Sequence, residues 1–575
     1  METLEERIAR KLPKKKKLIR VAMGEEAADL VVRNATYLNV FSSTWETGDI
    51  AISGGLIAGI GGEYHGITEI DTQGQYVTPG LIDAHIHLES SIVKPSEFAR
   101  IALRHGTTTV VTDPHEITNV MGTDGIRYML EATENIGVDV MFMLPSCVPA
   151  TPMDENAMPL HYQDIDEFYS HPRVLGLAEM MNYVGVNAGD DEVLSKILAA
   201  QSHHKKIDGH APQLSGRALD GYIAAGVYSD HECDTYENAL EKLKKGQFVM
   251  IREGTAARNL DALMPLIRPE LYSRCMFATD DKHPNDLLNI GHIDSIVRRC
   301  LAAGCDPILT LKTATHNAAR YFLMNNKGAI AGGYVADLLI LDDLSTFSIS
   351  TVIKRGTVLH HVGNTMEVEI TPPTVSPDLA ARATDTMHCA PVNAERFACG
   401  RRPVIELTPG ELYTGNGGYA DAADPAHDLL KIAVIERHHN TGHIGLAYIR
   451  GYGLTKGAVA TSIAHDSHNI IAVGASDEDI ARAVNAVIAA HGGIYVTDGD
   501  ETKGLPLPIA GLMSDGRMED VNAALEGTKA FAYSLGVKKD VDPFMSLSFL
   551  SLPVIPALKL TPQGVFDVTK WAYLE

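Results

Sequence analysis

The chain has 575 residues, 45% hydrophobic and 21% charged, which is a globular composition with length for two or more domains. Its 49 Lys and Arg against 73 Asp and Glu leave a net charge of −24, which argues against nucleic acid or an anionic membrane as a partner. No run of about 20 apolar residues offers a membrane span.

Residues 1–25 read as a solvated tail, because the basic run Lys14–Lys17 has no apolar stretch after it as a signal peptide would. Asp29–Ala35 and Asp49–Ile52 read as short strands separated by Gly and polar turns. Over residues 77–325 strand and helix alternate. The predicted strands are Gly80–His87, Thr108–Asp113, Asp139–Leu144, Val174–Met180, Lys206–His210, Val227–Glu232, Phe248–Arg252 and Cys275–Asp280. Helical segments such as Pro95–His105, Gly125–Ile136, Glu192–Gln201, Gly216–Ala225 and Tyr236–Lys245 lie between them. Eight strands in about 250 residues have the count and size of a (β/α)8 TIM barrel. An open doubly wound sheet needs a Gly-rich phosphate turn after its first strand, and none is present. Gly328–Asp342 is again strand-like, residues 366–402 are a Thr-, Pro- and Ala-rich linker, and residues 403–575 form a further α/β domain. The seven cysteines are scattered without a C-x-x-C pair, which fits a reducing cytoplasm.

Functional side chains of a barrel sit at the C-terminal ends of its strands. Those ends carry His85 and His87, one residue apart and so on one face of a strand, then Glu179, His210, His231 and Asp280. Four imidazoles and two carboxylates at one mouth can hold two divalent ions; the mixed N/O set suits zinc, manganese or iron(II). Such a pair of ions lowers the pKa of a shared water, Glu179 can bridge them, and Asp280 can take the water's proton and return it to the leaving group.

With His210, His231 and Asp280 in order after it, Pro79-Gly-Leu-Ile-Asp-Ala-His-Ile-His87 resembles the amidohydrolase superfamily. Gly328–Leu338 is similar to the segment where such chains return to a small β-sandwich, which places that unit at residues 26–76 and 326–365. Further strings sharpen the likeness: Leu88–Ser91, Asp113–Gly122, Gly176–Asn182, Ile251–Asn259, Ser462–Asn469 and Leu550–Leu560 resemble the prokaryotic adenine deaminases. The resemblance implies hydrolysis of adenine to hypoxanthine and ammonia in purine salvage, two manganese or iron(II) ions, and a homodimer or higher homo-oligomer. Many binuclear members carry a modified lysine on the fourth strand; Glu179 stands there instead, which argues against dihydroorotase and hydantoinase relatives.

Deaminating a purine also requires protonation of a ring nitrogen as C6 is attacked. Asp113 and Glu116, in the loop after the second strand, are the candidate substrate contacts, with Glu116 as the acid; turn and cap formation is the plainer reading of both. Arg252 and Arg258 either orient the substrate or pair with Glu253. His465, Asp466 and His468 either close over the site, bind another ion or stabilise a domain interface. Two other functions stay open: hydrolysis of another cyclic amidine or amide, and an assembly role without catalysis, which the full ligand set disfavours.

Overall fold

The computed structural model describes residues 3–361 and 370–574. Residues 1–2, 362–369 and 575, where the expected tail starts, the sandwich segment ends, the linker begins and the chain stops, lie outside them.

Strands Leu81–Ile86, Thr107–Thr112, Asp139–Leu144, Val174–Met180 and Lys206–Gly209 pair in sequence order as a five-stranded parallel sheet. Ser229–Asp230, Phe248–Arg252 and Cys275–Ala278 form a three-stranded parallel sheet. The first two strands are buried at every residue, including Asp83 and His85 in the first, as strands covered on both faces are. The two sheets meet at both edges. At one, Asp280 N–H donates to the His85 carbonyl at 2.9 Å and His87 N–H to the Asp280 carbonyl at 3.1 Å. At the other, Ala211 N–H donates to Asp230 Oδ1 at 2.7 Å. Helices Pro95–Arg104, Thr123–Ala132, Asp191–Ser202, Gly216–Ala224 and Tyr236–Lys244 fall between the strands. Asp190 and Thr235 cap two of these helices by accepting from Val193 N–H and Asn238 N–H.

The chain before and after this region joins in one eight-stranded sheet. Leu338–Leu341 runs antiparallel to Tyr76–Pro79 at its centre. A buried charge cluster ties this sheet to the parallel strands. Lys354 Nζ bonds Asp139 Oδ2 at 2.6 Å and Asp337 Oδ2 at 2.7 Å, and Lys327 Nζ bonds Asp337 Oδ2 at 3.1 Å. Burial pushes the Asp337 carboxyl up, but the two lysines outweigh it and hold it below its ordinary value. Removing one partner of such a buried set strands the others, so Asp337→Ala should cost about 3 kcal/mol or more, read as a lowered unfolding midpoint. The depressed native pKa means that Asp337's contribution is complete above about pH 4 and is lost as the pH falls below it. An unchanged midpoint at neutral pH would contradict this account.

Where the sequence suggests a solvated tail, the structure has a helix, Leu4–Ala22, capped by a reciprocal Thr3–Glu6 pair. The helix is held because Leu18 and Val21 are buried against Ala28, Val31 and Ala51. The described part of the expected linker is also packed: it contains a helix at Pro377–Thr384 with Leu379 and Ala383 buried, and Phe397 is fully enclosed.

The C-terminal region builds an eight-stranded sheet from Arg402–Leu407 to Glu501–Pro506, with helices Asp477–Ala489 and Met518–Ser534, and a small three-stranded antiparallel sheet. It sits on the mouth formed by the parallel strands. Ser514 N–H donates to the Ile92 carbonyl at 2.8 Å and Lys94 N–H to the Ser514 carbonyl at 2.9 Å. Ile86, Leu88 and Phe98 share one apolar core with Leu512, Leu525, Phe544 and Leu547. Among the described residues no helix is long and apolar enough to cross a membrane.

Candidate metal centre

His85 lies near the end of the first parallel strand and His87 just past it, and their Nε2 atoms are 3.2 Å apart. Glu179 is the penultimate residue of Val174–Met180. His210 and His231 follow directly on the strands Lys206–Gly209 and Ser229–Asp230. Asp280 follows Cys275–Ala278 in a left-handed conformation, φ +59°, unfavourable for a residue with a Cβ and held by its two backbone bonds to the first strand. The structure therefore brings all six strand-end candidates together.

Glu179 divides them into two groups. Its Oε1 lies 3.2 Å from His87 Nε2 and 3.7 Å from His85 Nε2, and Asp280 Oδ1 is 3.1 Å from His87 Nε2. Its Oε2 lies 2.8 Å from His210 Nδ1 and 3.2 Å from His231 Nε2. One carboxylate thus offers an oxygen to each of two imidazole pairs. His87 Nδ1 lies 3.0 Å from the Asp113 carbonyl, to which it donates its proton. Its Nε2 lies among two carboxylate oxygens and another ring nitrogen in a buried pocket, an arrangement that needs a positive charge at that point: a second proton on His87 shared with Asp280 and Glu179, or a divalent cation in its place.

Around these ligands stand groups that strand-end reading does not single out. The Arg252 guanidinium bonds Asp280 Oδ2 at 2.7 Å and the Glu232 carboxylate. Burial alone pushes the Asp280 carboxyl up; the hydrogen bond from His87 and the charge of Arg252 outweigh it and hold the group well below the usual range. Neither arginine pairs with Glu253, which bonds Arg299, while Arg258 reaches Asp286 at 3.2 Å. His115 packs against His87, with Nδ1 2.8 Å from Asp113 Oδ2 and 3.5 Å from Glu179 Oε1. Glu232 and His115 each adjoin a residue chosen from sequence, and adjacency was the one signal available for them.

Asp113 and Glu116 are both buried beside this centre. Asp113 Oδ1 has no hydrogen-bond partner. Both Glu116 oxygens face the C-terminal region: Oε1 is 2.9 Å from His465 Nδ1, and Oε2 contacts His468 Nε2. Beyond them lies a cavity lined on one side by Glu89, Ser90, Asp281 and His283, and on the other by His465, His468, Phe544 and Phe549. Glu89 and Asp281 stand close in sequence to the candidate ligands His87 and Asp280, and Glu116, which also lines the cavity, lies 3.4 Å from His115 Nε2, whose Nδ1 is 3.5 Å from Glu179 Oε1, so the cavity adjoins the candidate centre.

Residues 76–359 match the amidohydrolase family, and residues 411–572 match the adenine deaminase C-terminal domain. The chain is 45% identical to "Adenine deaminase" of Desulfatibacillum aliphaticivorans, over 97% of this chain and 98% of that one. It is 46% identical to "Adenine deaminase 2" of Carboxydothermus hydrogenoformans over the same shares. Among solved structures, a dihydropyrimidinase from Brevibacillus agri covers 60% of this chain and 96% of its own, with a TM-score of 0.47 and 16% identity.

Proposed function

The chain belongs to the adenine deaminase family, and from that membership we propose that it hydrolyses adenine to hypoxanthine and ammonia at the cluster around Glu179. The observation that carries this reading is Glu179 itself, an unmodified carboxylate with one oxygen toward each imidazole pair. Two divalent ions, manganese or iron(II) with zinc also compatible, would be held by His85, His87 and Asp280 on one side and His210 and His231 on the other, with Glu179 between. When bound, the ions supply Lewis acidity that makes water a nucleophile near neutral pH.

The protein's own residues do the rest. Asp280 takes a proton from the attacking water and returns it to the departing amine, so C6 gains an oxygen and loses ammonia. Arg252 keeps Asp280 ionised and fixes its orientation. Asp113, with an unpartnered buried oxygen, and Glu116 form the side of the site that meets the purine ring. The eight parallel strands are read as a closed (β/α)8 barrel over residues 77–325, with the sandwich at 26–76 and 326–365 and the capping domain at 403–575. All seven cysteines are free, which supports a reducing compartment, the cytoplasm, and a salvage role for the reaction there.

The test is ammonia release from adenine, adenosine, guanine and dihydrouracil by the manganese-loaded protein. Adenine should be turned over fastest by a wide margin. Faster release from adenosine or dihydrouracil would replace the substrate assignment.

A further inference from the structure

We propose that His465, brought in by the C-terminal region, is the group that donates a proton to the purine ring, and that Glu116 is the positioning residue that holds it. This deepens the adenine reading and rests on it.

Three geometric observations place His465 in this role. First, its ring lines a cavity together with Glu116, whose Oε1 is 3.4 Å from His115 Nε2, and His115 Nδ1 in turn lies 3.5 Å from Glu179 Oε1, so the cavity adjoins the candidate centre. Second, its Nδ1 is 2.9 Å from Glu116 Oε1, so Nδ1 carries a proton and Nε2 is the ring's remaining polar atom. Third, the ring stacks on Phe549 with centroids 4.4 Å apart and planes 16° from parallel, which fixes its plane. An imidazole oriented by a carboxylate through one nitrogen and presenting the other to a cleft is a standard acid–base arrangement.

Glu116 is a poor candidate for the acid itself. Burial pushes its carboxyl up, but His465, His468 and His115 outweigh this and hold it well below the ordinary range, so it has no proton to give. The two histidines that flank it differ. For His465, burial lowers the pKa, but Glu116 raises it more, with Asp281 and Asp466 adding to the effect, to about 9. For His468, burial dominates and the pKa falls to about 4. His283 faces His465 as well, and burial with the charges of Lys529 and His465 brings it down to about 4, so neither His283 nor His468 carries a charge at neutral pH that opposes charging of His465. His468 is thus the neutral partner. Its Nδ1 accepts from Ala464 N–H at 3.2 Å, so its proton is on Nε2 and is donated to Glu116. The same tautomer argues against a metal ion among Glu116, His465 and His468, since a ring accepting a hydrogen bond at Nδ1 and binding a cation at Nε2 would have to lose its last proton.

The step balances as follows. The water oxygen forms its bond to C6, the C6=N1 π pair moves onto N1, and N1 takes the proton from His465 Nε2. One proton of the water, taken up by Asp280 as the bond to C6 forms, goes to the C6 amine, whose C–N bond then breaks to release ammonia. The water's second proton, left on the C6 hydroxyl, is given up to His465 Nε2 as the C6 carbonyl forms, which restores both groups.

His465→Asn is the decisive variant, because its amide N–H keeps the Nδ1 contact with Glu116 while removing the Nε2 donor. In the manganese-loaded full chain we expect kcat for adenine to fall about 10²- to 10⁴-fold with metal content unchanged. Glu116→Gln should fall by a similar factor, and wild-type kcat should decline on the alkaline side through a group near 9 that His465→Asn lacks. Three results would overturn the assignment: kcat of His465→Asn within about threefold of wild type, metal loss from that variant, or a wild-type kcat that stays level through the alkaline range. The last reading needs no variant and so survives any folding defect. Wild type without adenine deaminase activity would instead overturn the proposed function.

Discussion

Replacing Glu179 with Gln should abolish deamination and lower the bound metal together. The variant keeps size and shape but exchanges one of two anionic oxygens for an N–H2 group. Whichever way the amide turns, one imidazole pair meets a donor where it had a carboxylate oxygen: His87 at 3.2 Å and His85 at 3.7 Å, or His210 at 2.8 Å and His231 at 3.2 Å. The remaining carbonyl oxygen is neutral, so the cations lose charge compensation in a site that excludes water. A ligand contributing several kcal/mol at the transition state corresponds to a loss of about 10³-fold or more in kcat. Metal analysis of the purified variant, alongside an ammonia assay with added manganese, separates the two effects. Full metal content with wild-type turnover would show that Glu179 does not bridge the pair and would remove the main support for a two-ion centre.

The strand-end logic that found Glu179 has a clear physical range. Helix and strand alternate from periodicity alone, and five helices and eight strands fall within a few residues of their predicted positions. The six candidate ligands can be picked out because each strand end is a local feature, and the structure gathers all six together. Local reading fails where partners come from far along the chain. Nothing near Glu116 announces His465 and His468, more than 300 residues later, as the groups that occupy its two oxygens. Arg252 shows the same limit: its neighbour Glu253 is the obvious partner in sequence, yet at a strand end their side chains diverge, and Arg252 reaches Glu232 and Asp280 from adjacent strands. The helix at Leu4–Ala22 was read as a tail because its basic run masks Leu18 and Val21, two residues that matter only once the sheet beneath them exists.

The second large effect is expected at Asp280. Asp280→Asn should reduce kcat for adenine by about 10³-fold or more while leaving the protein folded and most of its metal bound. The fold survives because Asn tolerates the left-handed backbone that Asp280 adopts at φ +59°, and the two backbone bonds to the first strand do not involve the side chain. Metal persists because Glu179 and the four imidazoles remain. What disappears is the group that accepts the water's proton, and an amide cannot replace it at any neutral pH. The substitution also leaves Arg252 with the Glu232 carboxylate as its one charged partner, where it had two. Arg252→Met therefore serves as the companion variant, since it keeps the Asp280 base but releases its orientation and strands Glu232. Its kcat should fall less than that of Asp280→Asn. If the two variants lost activity equally with metal intact, Asp280 would owe its role to the ion pair rather than to proton transfer. If Asp280→Asn retained wild-type turnover, the base would have to be sought among Glu232, Asp113 and Glu89, the other carboxylates close to the centre.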